Sequence, residues 1–200
     1  MAIVHRARLT PSKIELAQAW LDRQPWGGDG APEQVGSYRF DDPDGEVGVE
    51  ALLIRRGDEV LQVAMTYRSA PLAGGDDHLI GTLQHSVLGA RWAYDAAYDP
   101  VGRGCFARSL AGDQAQAELE IWDGGRPVGH REPDVALRRV GNRTGPIAAD
   151  DPRVRIGRVL TPYGGAEPTD TVALVADWSG GSSIVAVLGE GTATGAVGSG

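Results

Sequence analysis

The sequence predicts an α+β chain: one helix near the N-terminus packed on an antiparallel sheet, then a second, mostly antiparallel β section. Three observations predict it. Residues 11–23 place apolar side chains at helical spacing behind capping residues. Three strand-length runs follow, with tight-turn signals between them. From residue 117 onward the strand pattern returns five times, and Pro, Gly and Asp fill the gaps.

The elements follow in order. Thr10 can cap a helix from about Pro11 to Arg23, because proline at the first helical position loses only an N–H that has no partner there. Ser12 with Glu15 offers a second, capping-box register. Ile14, Ala17 and Leu21 form one stripe, with Leu16 and Trp20 beside it, and Pro25 and the glycines after it stop the helix. Strands are expected at Ser37–Phe40, Val47–Arg55 and Val60–Tyr67. Asp44-Gly45 and Gly57-Asp58 turn the chain between them. After a Pro/Gly/Asp loop, His78–Thr82 and Arg91–Tyr94 read as short strands joined by residues 84–89. Residues 101–117 are ambiguous, with Phe106 and Leu110 at helical spacing. Strands then read at Ala117–Trp122, Val135–Val140, Val154–Leu160, Thr171–Trp178 and Ser183–Leu188, as one sheet with the first set or as a small β domain.

Composition excludes several functions. The net charge of −8, with arginines scattered, disfavours nucleic acid and anionic membrane. No run approaches the roughly 20 apolar residues of a membrane span, and the N-terminus shows no apolar signal region, so a cytoplasmic protein is expected. Cys105 is the one cysteine, which leaves no intrachain disulfide and no cysteine-based zinc site. Lys13 is the one lysine against 18 arginines, as in a GC-rich genome. Any chemistry needing a lysine has that single candidate, at the start of the helix.

The candidate chemistry is sparse. His78 and His85 stand seven apart with Asp76, Asp77, Asp95 and Asp99 nearby, but without a ligand spacing. They read as hydrogen-bonding residues, and no metal is expected. Asp41-Asp-Pro-Asp-Gly-Glu46 looks like a calcium loop, yet Phe40 stands where its first aspartate should, so the hairpin turn is preferred. Gly102-Arg-Gly-Cys-Phe-Ala107 has the letters of a dinucleotide loop without the preceding buried strand. Ser86 follows His85 but lacks a nucleophile elbow. Trp26, Trp92, Tyr94 and Tyr98 suit either a sugar-stacking platform or a core; Trp26, in the Gly-rich exit of the helix, is expected to be exposed. Arg91 opens the strand that carries Trp92 and Tyr94. No catalytic residue and no cofactor is assigned.

Several runs carry a resemblance. These are Ser12-Lys-Ile-Glu-Leu-Ala-Gln-Ala-Trp-Leu21 with Gln24-Pro-Trp26, Thr66-Tyr-Arg-Ser-Ala-Pro-Leu72, Leu79-Ile-Gly81, Gly89, Tyr94-Asp-Ala96 and Asp99-Pro100. In this order, over roughly residues 8 to 108, they resemble the maltokinase N-terminal cap domain and its stand-alone relatives. The resemblance implies a helix on a curved antiparallel sheet, cystatin-like in outline. Together with the later strand pattern and the Gly/Ala/Thr/Ser composition of the end, it divides the chain into a cap-like domain (1–108), a β-rich section (109–189) that either continues the same sheet or forms a small β domain, and a flexible tail (190–200).

The phosphoryl-transfer apparatus of a maltokinase has no counterpart in residues 109–200, which hold no lysine and no His-Gly-Asp or Asp-Phe-Glu segment. The resemblance therefore implies a noncatalytic accessory module. Its expected partner is a sugar kinase or α-glucan enzyme of maltose, trehalose or α-glucan metabolism. The alternative is a carbohydrate-binding module for a maltose- or glucan-type ligand. Trp26, His78, His85, Arg91, Trp92, Tyr94, Asp95 and Asp99 are the candidate binding residues. An enzymatic reading would pair His85 with Asp95, and no constellation completes it.

Overall fold

The structure is a computed structural model that describes residues 2–5, 7–142, 145–165 and 171–189. The expected tail, residues 190–200, lies outside the described residues.

Helix α1 (Lys13–Leu21) uses the Ser12 register rather than the Thr10 one. The Glu15 N–H donates to Ser12 Oγ (3.4 Å) and the Ser12 N–H donates to Glu15 Oε2 (2.8 Å). Thr10 is not available as a cap, because it pairs with Gln84 in the short strand β2 (Leu9–Thr10). At the far end Arg23 Nη2 donates to the Ile80 carbonyl (3.1 Å) and ties the helix exit to the sheet.

Strands β3 (Glu33–Phe40), β4 (Gly48–Arg56) and β5 (Glu59–Arg68) form an antiparallel meander. The β3–β4 turn is held by Asp42, whose carboxylate accepts the N–H groups of Asp44, Glu46 and Val47. Gly45 supplies the positive φ (73°) that this turn requires. Strands β6 (Leu79–His85) and β7 (Gly89–Asp95) make the next hairpin. The ambiguous segment is helix α2 (Pro100–Ala111), capped by Asp99 with Pro100 at its first turn. Gly102 and Gly104 weaken its helical signal. Gly102 is required by a close approach, since a Cβ there would stand 2.7 Å from the Ala96 carbonyl oxygen. The dinucleotide-like letters are therefore helix and packing contact, not a phosphate loop.

Strands β10 (Val135–Val140), β11 (Val154–Pro162), β12 (Val172–Trp178) and β13 (Gly181–Leu188) follow the expected bounds closely. Two strands at the margins carry little sequence signal: β1 (Ala2–His5) is four residues long, and β9 (Arg126–Arg131) contains Pro127 and Gly129 and is mostly exposed. With β8 (Leu119–Asp123) they form a separate three-stranded sheet in which β1 runs parallel to β8.

The remaining ten strands form one sheet that forks at β5. One edge of β5 pairs with β4 along its length. The other edge is divided: Leu61 pairs with Val159 of β11, and Met65–Arg68 pair with β7. Gln62, fully buried, sits under the fork. Its amide donates to the carbonyls of Gly157 and Val185 (3.0 Å each) and accepts from the Tyr38 hydroxyl (2.6 Å).

The sheet is covered on both faces. Leu16, Ala17, Trp20 and Leu21 of α1 pack on Leu52, Ile54, Leu61, Val63 and Met65. Cys105, Phe106 and Leu110 of α2 pack on Val49, Ala51 and Leu53, in a cluster that also takes in Val135, Leu174 and Leu188 of the later strands. Alternate residues of β4 thus serve two cores, and its apolar run is nearly continuous for that reason.

Candidate binding cleft

On the α1 face the helix covers only part of the sheet. Nine residues make α1 about 13 Å long, whereas β4 and β5 extend about 30 Å. Beyond Lys13, the first residue of α1, the uncovered floor opens into a cleft of about 570 Å³. Its floor follows from strand alternation. Arg39 lies opposite Glu50 in register, and Glu50 shares its strand face with Leu52 and Ile54. Tyr67 is in phase with Met65, and Arg91 with Ala93. Leu9, Lys13 and residues of the Asp42–Val47 turn also line it.

A buried charge network lies under this floor. Lys13 Nζ stands 2.6 Å from Glu50 Oε2, and the Glu50 side chain is 7% exposed. Burial pushes the Glu50 carboxyl up, but the Lys13 and Arg39 charges and hydrogen bonds from Lys13 and Tyr67 more than offset it and hold it below the usual carboxylate range. Burial, then the Glu50 charge, pushes the Tyr67 phenol well up. The single lysine is thus an ion-pair member fixed at the rim, with its ammonium 5.8 Å from the Tyr67 ring centre.

Of the residues singled out in the sequence, His85 and Arg91 line the cleft. His85 Nδ1 accepts the N–H groups of Val87 (3.2 Å) and Leu88 (3.1 Å) and so shapes the β6–β7 turn. His78 is at the other end of β6, about 20 Å away by strand rise, with its ring stacked on Tyr98 at 3.7 Å. The two histidines do not converge. Among the described residues there is no group of three or more His, Cys, Asp or Glu side chains placed to hold a metal ion.

Asp95 also lies away from His85. The β6–β7 register pairs His85 with Gly89 and Leu79 with Tyr94, which puts the two at opposite ends of the hairpin. No acid–base pair forms between them. Asp95 is ion-paired with Arg158 of β11 across the fork and accepts the Ala97 N–H (3.1 Å). Asp99 is fully buried. It accepts the Thr66 hydroxyl (2.6 Å), two N–H groups of Arg68 (2.6 and 2.7 Å) and the Val101 N–H (2.9 Å).

The aromatic candidates are also dispersed. Trp26 is half-buried rather than exposed, in edge contact with Trp20 at 5.2 Å, and the Arg158 guanidinium lies 5.4 Å from both rings. Trp92 and Tyr94 point to the opposite face, since Ala93 between them faces α1. Tyr94 is buried, and its hydroxyl accepts the Leu72 N–H (2.9 Å). No common platform joins these rings.

Arg39, Glu50 and Tyr67 were not legible as site residues. The available signal was Glu50 itself, a charge at an inward position of an apolar strand. No helix among the described residues is long and apolar enough to cross a membrane.

Residues 20–99 match the family model of the maltokinase N-terminal cap domain. The match begins inside α1, ends at the cap of α2 and takes in Arg39, Tyr67 and Arg91 of the cleft, with Glu50 beneath them. No curated protein matches the chain.

Proposed function

We propose, from the premise that residues 20–99 form a maltokinase-cap-like module, that this chain works by binding and not by catalysis. It is an accessory protein of maltose, trehalose or α-glucan metabolism, docking on a sugar kinase or α-glucan enzyme. The cap match carries this reading. Support comes from the polar residues nearest to a catalytic constellation. Asp95, Asp99 and His85 each hold a turn, a helix cap or a strand junction, and such commitments leave a protein surface rather than a reacting centre as the functional element.

The test is affinity capture with the tagged chain in its native cells, after in-cell crosslinking, with an untagged strain as control. Enrichment of a sugar kinase or α-glucan enzyme, reproduced with the two purified proteins, is the expected result. Enrichment of neither class overturns the reading.

A further inference from the structure

We infer that the chain forms a symmetric dimer in which the apolar β6–β7 turn of each copy inserts into the cleft of the other. This goes beyond the proposed docking and does not depend on it.

The turn carries residues that its own shape does not require. Tight turns favour Gly, Asn, Asp, Ser and Pro, yet Val87 and Leu88 stand at this one, 58% and 44% exposed. Among the large apolar side chains exposed in the described residues, these two alone are neighbours in sequence. Polar and backbone groups set the turn. His85 Nδ1 accepts the N–H groups of both residues, Ser86 Oγ accepts the Arg8 N–H (2.9 Å), and the Ser86 N–H donates to the Arg8 carbonyl (3.0 Å). Gly89 supplies a positive φ (76°). The apolar tip is therefore presented in a fixed conformation, which lowers the ordering cost of association. It also projects, because the hairpin runs on through residues 89–91 past the last β5–β7 pair, Arg68 with Trp92.

The receiving surface lies beside the tip on the same copy. The β3–β4 and β6–β7 turns leave the same end of the sheet, since Gly48 pairs with Tyr67 and Tyr67 with Ala93. Strands β4 and β6 are three strand spacings apart, about 14 Å, and residues of both turns line the cleft. Leu9, Phe40, Val47, Val49 and Leu83 give it apolar surface. Its charges nearly balance: Lys13, Arg39 and Arg91 meet Asp41, Asp42, Glu46 and, beneath them, Glu50. Lys13 and Glu50 are already paired, so covering them costs less than burying a lone charge.

A projecting apolar tip beside a partly apolar cleft is a self-complementary patch, which is what an isologous interface needs. The surface charges agree. Arg8 and Arg91 flank the tip, while Asp44 and Glu46 stand exposed on the β3–β4 turn. Among the described residues none of these four is in an ion pair. Entry of the tip into a second copy brings its arginines to that copy's carboxylates, and the reverse occurs at the other cleft. A small ligand would fill the cleft but leave the tip exposed and these charges unmatched.

Sedimentation velocity and light scattering on the purified full chain test this, from micromolar to sub-millimolar concentration. The expected result is a reversible monomer–dimer equilibrium. Val87→Asp with Leu88→Asp should weaken it by roughly tenfold or more at an unchanged melting temperature. Arg8→Glu with Arg91→Glu in one chain, and Asp44→Arg with Glu46→Arg in another, should each be monomeric alone and associate one to one when mixed. A wild-type chain that stays monomeric throughout overturns the inference and leaves the cleft to a different partner. So does a dimer indifferent to the tip substitutions, or mixed charge-reversed chains that keep the wild-type melt and do not associate. The purified chain is used, so the outcome of partner capture does not bear on this result.

Discussion

Asp99 shows how a residue with the appearance of chemistry can be wholly structural. Burial pushes its carboxyl up, yet the Arg68 fork, the Thr66 hydroxyl and the Val101 N–H outweigh burial and hold it below the usual carboxylate range. Its folded pKa is thus lower than its unfolded one, so its stabilisation is complete above about pH 4 and fades as pH falls through the depressed value. Glu50 shifts in the same direction and adds to the same acid limb. Asp99→Ala leaves Arg68 unpaired beside a buried space and should cost about 3–5 kcal/mol at neutral pH. In Asp99→Asn the loss of stability between pH 4 and 2 should be shallower than in the wild type, by urea denaturation at each pH. An unchanged acid limb would show that Asp99 does not titrate as its partners require. Asp95→Asn removes the partner of Arg158 and should cost on the order of 1.5–3 kcal/mol. It should melt earlier while partner binding, measured well below that melt, stays near wild type. Unchanged melting with lost partner binding would reassign Asp95 to the interface.

At the level of elements, α1 is a short helix whose attachment rests on few side chains. Trp20 is 7% exposed, packs in the α1 cluster, and meets both Trp26 and Arg158. Trp20→Ala should lower stability by about 3–5 kcal/mol, as large core aromatics do. A denaturation midpoint that hardly moves would mean that α1 contributes little to the fold. The short length of α1 also leaves Arg39, Tyr67 and Arg91, beyond its first residue, only partly buried.

Across the whole molecule, the cap-like segment and the later strands share both sheet and core. Helix α2 runs through residue 108, and the cluster around Phe106 combines Tyr38, Phe40 and Leu53 with Val135, Leu174 and Leu188. Gln62 binds β5 to the carbonyls of Gly157 and Val185. A fragment of residues 1–108 would expose one face of β3 and β4 and leave these polar groups unpaired. Such a fragment should show no cooperative thermal transition by circular dichroism, whereas the full chain should show one. A sharp melt of the fragment would make the cap self-sufficient. For the 200-residue chain, no ATP-dependent phosphorylation of maltose or glucosamine is expected, since residues 109–200 hold no lysine and no His-Gly-Asp or Asp-Phe-Glu segment. Turnover above buffer and heat-inactivated controls would overturn that expectation.

What the sequence determined by itself was local. Asp44-Gly45 and Gly57-Asp58 specify their hairpins through backbone preference, and Val135–Val140 specifies a strand through side-chain type. The order of one helix and then strands also followed from periodicity. The tertiary structure alone decided which strand edges meet, because β11 and β7 compete for the same edge of β5 and neither carries a local mark of the outcome. The cleft belongs to the same category. Lys13 stood out as the single lysine, but its partner Glu50 is remote in sequence, and their meeting depends on strand register and on where α1 begins. Trp26, Trp92 and Tyr94 were close in type, yet Trp26 packs beside α1 while alternation along β7 turns Trp92 and Tyr94 to the other face. Backbone propensity acts over a few residues, whereas a site is assembled by pairings between distant segments. Those pairings are selected by the burial of the whole core.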